Sequence, residues 1–387
     1  DDDKRAEQNA DAPLPEGSKW VKGYRGAKMG GPELEPLLAH TTPVRVSWLR
    51  ELAERKGVVP PWQLLPPEAK VSLQELREAA KSRYYLPVAV LSYGWLAKGH
   101  PDPEGVLLQK LLPALKAMEK EGVIIGIVWD FVSLPQRGYT TGYDPERDDR
   151  TEYERKRFVR GLSAVNIWYR HARVTTLVCD FDEIYAGAEN PNPIDKRGWC
   201  IFEACLGRVS KGYLCYVNLS LLPEGAEGMG WLNVADKCRA ARQPPMSGVA
   251  FEKMMREGLA SGAIVFTNGK DATDVCIPQH QEGLLHLLGT EKILMYANLG
   301  WGPAEAKQVA GALAYAQEMG TAVAVEELWS SSNQLGSEGV RAIGEVIEAG
   351  ALPRLKKLSI RNNGADADTV EWIKRVAEAA GCTYVEA

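Results

Sequence analysis

The sequence predicts an α/β protein: a doubly wound parallel sheet, preceded by a helical extension and followed by a short cap of repeated β-α units. Two observations carry this. Three short apolar runs, VAVLSYGW ending at Trp95, IIGIVWDFVSLPQ ending at Gln136 and VTTLVCD ending at Asp180, each lead through polar residues into a helical pattern. After about residue 290, three similar strand-turn-helix segments follow one another.

The chain has 387 residues, 45% hydrophobic and 25% charged, which suits two or three packed cores and not a disordered tail. A formal net charge of -5, with no basic block interleaved with aromatics, argues against nucleic acid as a partner. The longest uncharged apolar stretch, Val123 to Trp129, is far short of the roughly 20 residues that span a bilayer, so no membrane span is expected. Seven cysteines without disulfide or zinc spacing point to a reducing compartment, cytoplasm or organellar stroma. The opening Asp1-Asp2-Asp3-Lys4 lacks an initiator Met, which fits a native, processed or tag-derived start alike.

Residues 1–85 read as an extension, because Pro and Gly punctuate them and two helix-sized patterns appear. One is VSWLRELAERKG, stopped at Gly57. The other opens at Ser72 with Glu75 three residues on, the spacing of a capping box. Residues 86–219 alternate strand and helix. The runs VAVLSY and IIGIVWDF lack polar alternation, as strands covered on both faces do. A helix with Leu107, Leu108, Leu111, Leu115 and Met118 on one stripe contains Pro113. A charged connection from Gly138 leads into a helix carrying Phe158, Leu162, Val165 and Tyr169. VTTLVCD, WCIFEACLGRV and GYLCYVNL supply the third strand, third helix and fourth strand. Ligands of such sheets bind beyond the carboxyl ends of the strands.

Residues 220–290 read as a connecting region of loops around the helix FEKMMREGLA. In 291–387, Asn298, Asn333 and Asn363 recur at the turns of the three β-α segments. That recurrence matches leucine-rich repeats, in which the turn Asn bonds backbone groups along the stack and needs no catalytic role. Such units offer a surface for a protein partner.

The residues of the central segment resemble a known group. LSYGW resembles the first strand of Toll/interleukin-1 receptor (TIR) domains and, more closely, that of fungal heterokaryon-incompatibility (HET) domains; WDFVSLPQ resembles the second HET strand. RGWCIFEA resembles the Trp-Cys-x-x-Glu helix start of TIR domains and the Arg-x-Trp-x-x-Glu of HET domains. The resemblance covers Leu86 to Leu219 and implies a flavodoxin-like, doubly wound sheet, followed here by ribonuclease-inhibitor-like leucine-rich units. The chain departs from the TIR pattern where Lys98, Gly99 and His100 precede Asp102.

In NAD-cleaving TIR domains the glutamate of that helix start is catalytic, and its position here is Glu203. The resemblance therefore implies NAD as a substrate, with no required cofactor. Independently of it, Trp199, Phe202, Leu206 and Val209 share one apolar arc at 100° per residue, and Glu203 lies at its edge. A carboxylate there is costly unless paired, for instance with Arg197 or Arg208, or used. Cleaving a nicotinamide-ribose bond releases a neutral leaving group, so one carboxylate that stabilises the oxocarbenium-like state suffices. Tyr93 and Trp95 are candidates to stack on a nucleotide ring, or to plug the space beneath it. Asp130 could bind ribose hydroxyls or cap a turn, and Gln136 could bind a ligand or a backbone group.

Other chemistries have less support. No Gly-rich dinucleotide fingerprint after a strand, no phosphate loop, no H-E-x-x-H and no G-x-S-x-G occurs. Five scattered histidines lack metal spacing. Cys200 opens a helix, with His171 as a conceivable base, but Trp199 and Ile201 beside it point to burial. Two functions remain: a TIR/HET-like signalling or interaction module that is non-catalytic in isolation, and an NAD+ nucleosidase acting through Glu203.

Overall fold

The structure, a computed structural model, describes residues 13–23, 28–139, 144 and 147–387. The Asp1–Lys4 opening and most of residues 140–146, in the charged connection, lie outside the described residues. The chain divides into two compact units, residues 1–200 with 211–240, and residues 201–210 with 241–387.

The first unit is built on a five-stranded mixed sheet of β1 (Val44–Arg45), β2 (Val88–Ser92), β3 (Gly126–Val128), β4 (Thr175–Val178) and β5 (Tyr216–Asn218), in the order β1-β3-β2-β4-β5. The four strands expected from the apolar runs are parallel to one another. The sheet is nonetheless mixed and not purely parallel: Val44 and Arg45 of the extension add an antiparallel edge strand on β3. Two residues are too few to show a strand's alternation, so no sequence pattern marks β1. Every residue of β2, β3 and β4 is buried, which explains their unbroken apolar character.

The helix Val46–Glu54 follows β1, and Leu73–Ala79 carries the expected capping box: Ser72 Oγ accepts from Glu75 N at 3.3 Å while Glu75 Oε2 accepts from Ser72 N at 2.8 Å. A third helix, Gly31–Leu38, starts at a Gly-Pro step and was not legible beforehand. The helix Val106–Glu121 runs unbroken through Pro113, because burial of Leu107, Leu108, Leu111, Leu115 and Met118 outweighs one lost backbone bond. The helix expected around Phe158 to Tyr169 is two helices, Glu152–Ser163 and Val165–Arg170, meeting at Ala164.

The second unit holds helices Gly248–Ser261 and Ile277–Thr290 and a parallel four-stranded sheet, β6 (Ile293–Met295), β7 (Glu327–Trp329), β8 (Lys357–Ser359) and β9 (Tyr384–Glu386), paired in sequence order. Helices Pro303–Glu318, Gly336–Glu348 and Ala367–Ala379 connect consecutive strands. Leu294, Leu328 and Leu358 sit in register on the buried side of the sheet.

Two asparagines stitch this stack. Asn333 Oδ1 accepts from Leu299 N (2.8 Å) and Trp301 N (3.3 Å), and its Nδ2 donates to Tyr296 O (2.7 Å) and Ser330 O (3.0 Å). Asn363 Nδ2 donates to Ser330 O and Ile360 O at 3.0 and 2.6 Å. Asn298 does a different job. It shares its place with Ser332 and Asn362, all three with left-handed φ of 56 to 57°, so Leu299 stands where the bonding Asn of the later segments stands. Asn tolerates that conformation by local hydrogen bonding, which explains why two kinds of Asn recur one residue apart. No helix among the described residues is long and apolar enough to cross a membrane.

Candidate functional site

Parallel strands bring their carboxyl ends to one edge of the sheet, and the residues just past β2 and β3 meet there. Asp130, at the start of the short helix Asp130–Ser133, accepts from the Tyr93 hydroxyl through Oδ1 and from Trp95 Nε1 through Oδ2 at 3.1 Å. Phe131 N adds a third donor to Oδ1 at 2.7 Å. Burial pushes the Asp130 carboxyl above its usual range, against the pull of those donors, and burial together with the Asp130 charge drives the Tyr93 phenol well up. The phenol therefore stays a donor, and all three groups around the Asp130 carboxyl donate to it.

The rings around this carboxylate are engaged with one another. Tyr93 meets Trp129 edge-on at 5.6 Å between centroids, and Trp95 meets Phe131 edge-on at 5.7 Å. Phe131 also contacts His100 and Tyr139. Gln136 turns its amide inward: Nε2 donates to Leu134 O at 2.8 Å and to Asp130 O at 3.4 Å. Gln63 clamps it, accepting from Gln136 N and donating to Gln136 O. Tyr93, Trp95 and Asp130 are thus assembled directly, with Gln136 joined through backbone.

Between β2 and β4 the strand order reverses, the place where open parallel sheets accept ligands. Here Arg197, buried and just before the helix Gly198–Ser210, ties together the loops that flank that place. Its Nη1 donates to Trp95 O (2.7 Å), Nη2 to Asn190 O (2.8 Å) and Nε to Asn192 O (2.7 Å), while the guanidinium lies 4.9 Å from the Tyr185 ring centre. Tyr185 in turn accepts from Gly94 N and donates to Cys179 O. Gly94 has no alternative, since a Cβ there would stand 2.3 Å from Arg197 Nε. No sequence pattern marks this role of Arg197, a candidate partner of Glu203 by position, because its three acceptors are main-chain carbonyls.

Trp199 is half-buried against the first unit's core beside Val90, Val128 and Trp168, and Cys200 Sγ donates to Tyr93 O at 3.2 Å. His171 lies at the amino end of β4, whereas Tyr93 and Cys200 lie at the carboxyl end of β2, so the two cannot form a nucleophile-base pair in a parallel sheet. Instead His171 Nε2 lies 3.1 Å from Gly30 O, and Nδ1 accepts from Arg173 N. Burial, with nearby Lys211, pushes its pKa down to about 4. Lys211 is fully buried, donates to His171 O and Val174 O, and is pushed down to about 7 by burial.

Glu203 belongs to the second unit. It is 9% exposed, between fully buried Phe202 and Leu206, and its charge adds to the burial that drives the Cys276 thiol upward. The same unit holds His280, fully buried, stacked on Phe251 at 3.8 Å between ring centres, with neither ring nitrogen hydrogen-bonded. Among the described residues no cluster of three His, Cys, Asp or Glu side chains could hold a metal ion.

No protein-family model matches the chain, and no curated protein is similar enough to match it. The reading of function therefore rests on the geometry.

The open side of the β6–β9 sheet has a different character from the strand ends of the first unit. Ile293, Met295 and Tyr384 are 45%, 49% and 44% exposed, and the Trp329 and Tyr384 rings lie 6.5 Å apart. The Lys357–Glu327 pair (2.8 Å) crosses the face between Ile293 and Tyr384, and at the start of the strands Glu326 pairs with both Lys292 and Lys356 at 2.7 Å. Hydrogen bonds from Lys292 and Lys356 hold Glu326 down at about 2.

Proposed function

We propose that this chain is a TIR/HET-like interaction module, with a flavodoxin-like doubly wound domain and leucine-rich-repeat-like units, that binds a protein segment on the open face of the β6–β9 sheet and turns over no substrate in isolation. The observation that carries this reading is the group of exposed Ile293, Met295 and Tyr384 with half-buried Trp329 on one sheet face, with the Glu327–Lys357 pair among them. Aromatic and Met side chains are enriched at interfaces relative to the rest of a protein surface, and the paired charges among them supply fixed polar contacts. All seven cysteines are free, which fits a reducing compartment.

The competing reading, NAD+ cleavage through Glu203, rests on the resemblance of RGWCIFEA and has less geometric support. Asp130 accepts three hydrogen bonds, from Tyr93, Trp95 and Phe131, and Arg197 directs three of its five N–H donors at the loops beside the strand ends, so a ribose would meet polar groups that are mostly engaged. Incubating the full chain with NAD+ and following nicotinamide by chromatography separates the two readings. The interaction reading expects no release above a protein-free blank. Release that disappears in Glu203→Ala would replace it with the hydrolase.

A further inference from the structure

The turn after β8 carries main-chain donors that its two counterparts use and it does not. After β6, Asn298 N donates to Ser331 O at 3.1 Å, and Leu299 N and Trp301 N converge on Asn333 Oδ1, so the following segment meets all three groups. After β7, Ser332 N donates to Arg361 O at 2.9 Å and Leu335 N to Asn363 Oδ1 at 3.4 Å. After β8, the corresponding N–H groups of Asn362, Asn363 and Ala365 bond to no group among the described residues. The backbone of this turn matches that of the first: Asn298 and Gly300 have φ of 57° and 69°, Asn362 and Gly364 of 56° and 71°. Left-handed positions on both sides of Asn363 turn successive N–H groups toward one concavity. The N–H groups of Asn363 and Ala365 therefore converge as those of Leu299 and Trp301 do.

The nearby acceptor is half used as well. Ser330 O accepts from Nδ2 of both Asn333 and Asn363, at 3.0 Å each, whereas its counterpart Ile360 O accepts from Asn363 Nδ2 alone. A side-chain amide placed here meets two donors with its oxygen and one carbonyl with its NH2, the pattern that Asn333 makes with Leu299, Trp301 and Tyr296. A carboxylate has no donor to offer Ile360 O. Strand pairing is open on the same side. In β9, at the edge of the sheet, Tyr384 N donates to Lys356 O and Glu386 O accepts from Ile360 N, so Val385 between them turns its N–H and C=O outward. Beside these groups lies a cavity of about 250 Å³ floored by Val340, Ile360, Val370 and Ile373. Ala365 on its wall stands where Trp301 and Leu335, 4% and 1% exposed, fill the two earlier layers.

We infer that the outer side of β9 binds an extended partner segment containing Asn-x-Leu, which adds as a strand parallel to β9. The ligand Asn accepts from Asn363 N and Ala365 N through Oδ1 and donates to Ile360 O through Nδ2. The leucine two residues on enters the cavity beside Ala365. Asn333-Gln334-Leu335, which covers the first turn in this way, is the template for that occupant. Main-chain pairing supplies affinity, and the amide and apolar pockets supply selection. The inference does not depend on the β6–β9 face and survives its failure.

The test is fluorescence anisotropy of the full chain with a fluorescein-labelled peptide that has the sequence of residues 327–335. Saturable binding is expected, weakened about tenfold or more when the peptide's asparagine is replaced by aspartate or by leucine. Ala365→Leu, which fills the cavity, should weaken the parent peptide by a similar factor. The peptide substitutions keep the test valid where Ala365→Leu disturbs folding. Hydrogen exchange of the saturated complex should slow at residues 362–365. Absence of saturation, equal binding of the aspartate peptide, or protection that leaves residues 362–365 unchanged would overturn the inference.

Discussion

Single residues in this protein reveal where burial works against chemistry. His280 has no side-chain hydrogen bond among the described residues and lies face to face with Phe251, and burial lowers its pKa from the ordinary 6.5 to about 3. The unfolded chain thus binds a proton that the folded chain refuses between those values. Stability from this group is complete above pH 6.5 and is lost as pH falls towards 3, at most about 1.4 kcal/mol per pH unit. His171, lowered to about 4, acts in the same direction. His280→Leu is expected to retain about 2 kcal/mol of the stability that the parent loses between pH 6.5 and 5, measured as the shift in urea midpoint at each pH. Equal losses in parent and variant would show that His280 reaches a proton acceptor in the folded state. None of this was visible in the sequence, where His280 is one of five scattered histidines.

At the scale of elements, the β6–β9 stack depends on a few side chains that join one segment to its neighbour. Asn333 uses both of its amide atoms, four bonds in all, while only 7% exposed. Asn333→Ala strands several buried backbone groups and should cost about 2–3 kcal/mol in chemical denaturation, whereas Asn298→Ala loses only a left-handed preference and should cost about 1 kcal/mol. Equal costs would contradict the assignment of the two positions. The sequence announced the recurrence of Asn but not which Asn bonds along the stack, because that depends on a one-residue offset that only pairing reveals. Longer signals were read more fully: the buried runs of β2, β3, β4 and β5 and the Ser72–Glu75 cap came through, since burial on both faces and a three-residue spacing leave a direct mark. The strand β1 and the helix Gly31–Leu38 did not, being short or started by Gly and Pro.

For the whole molecule, the candidate site was legible to the extent that topology is. Tyr93, Trp95 and Asp130 follow the ends of two adjacent parallel strands, so a sequence that reveals the strands also brings these residues together. Arg197 was opaque in its role because its partners are carbonyls of Trp95, Asn190 and Asn192, which any residue type could supply. Glu203 was legible as a half-apolar carboxylate, but its surroundings come from the 241–290 region, whose pattern was the hardest to read. The interaction reading draws on a sheet face where large apolar side chains stay exposed together, and such patches mark binding sites.

The most direct measurement is selection of a displayed random-peptide library against the immobilised full chain, with each enriched peptide titrated against variants. The account predicts that enriched peptides bind saturably, lose affinity about tenfold or more with Met295→Glu combined with Trp329→Ala, and keep it with Arg375→Glu on the helix Ala367–Ala379. A library from which no enriched peptide loses affinity with the Met295 and Trp329 substitutions would contradict it.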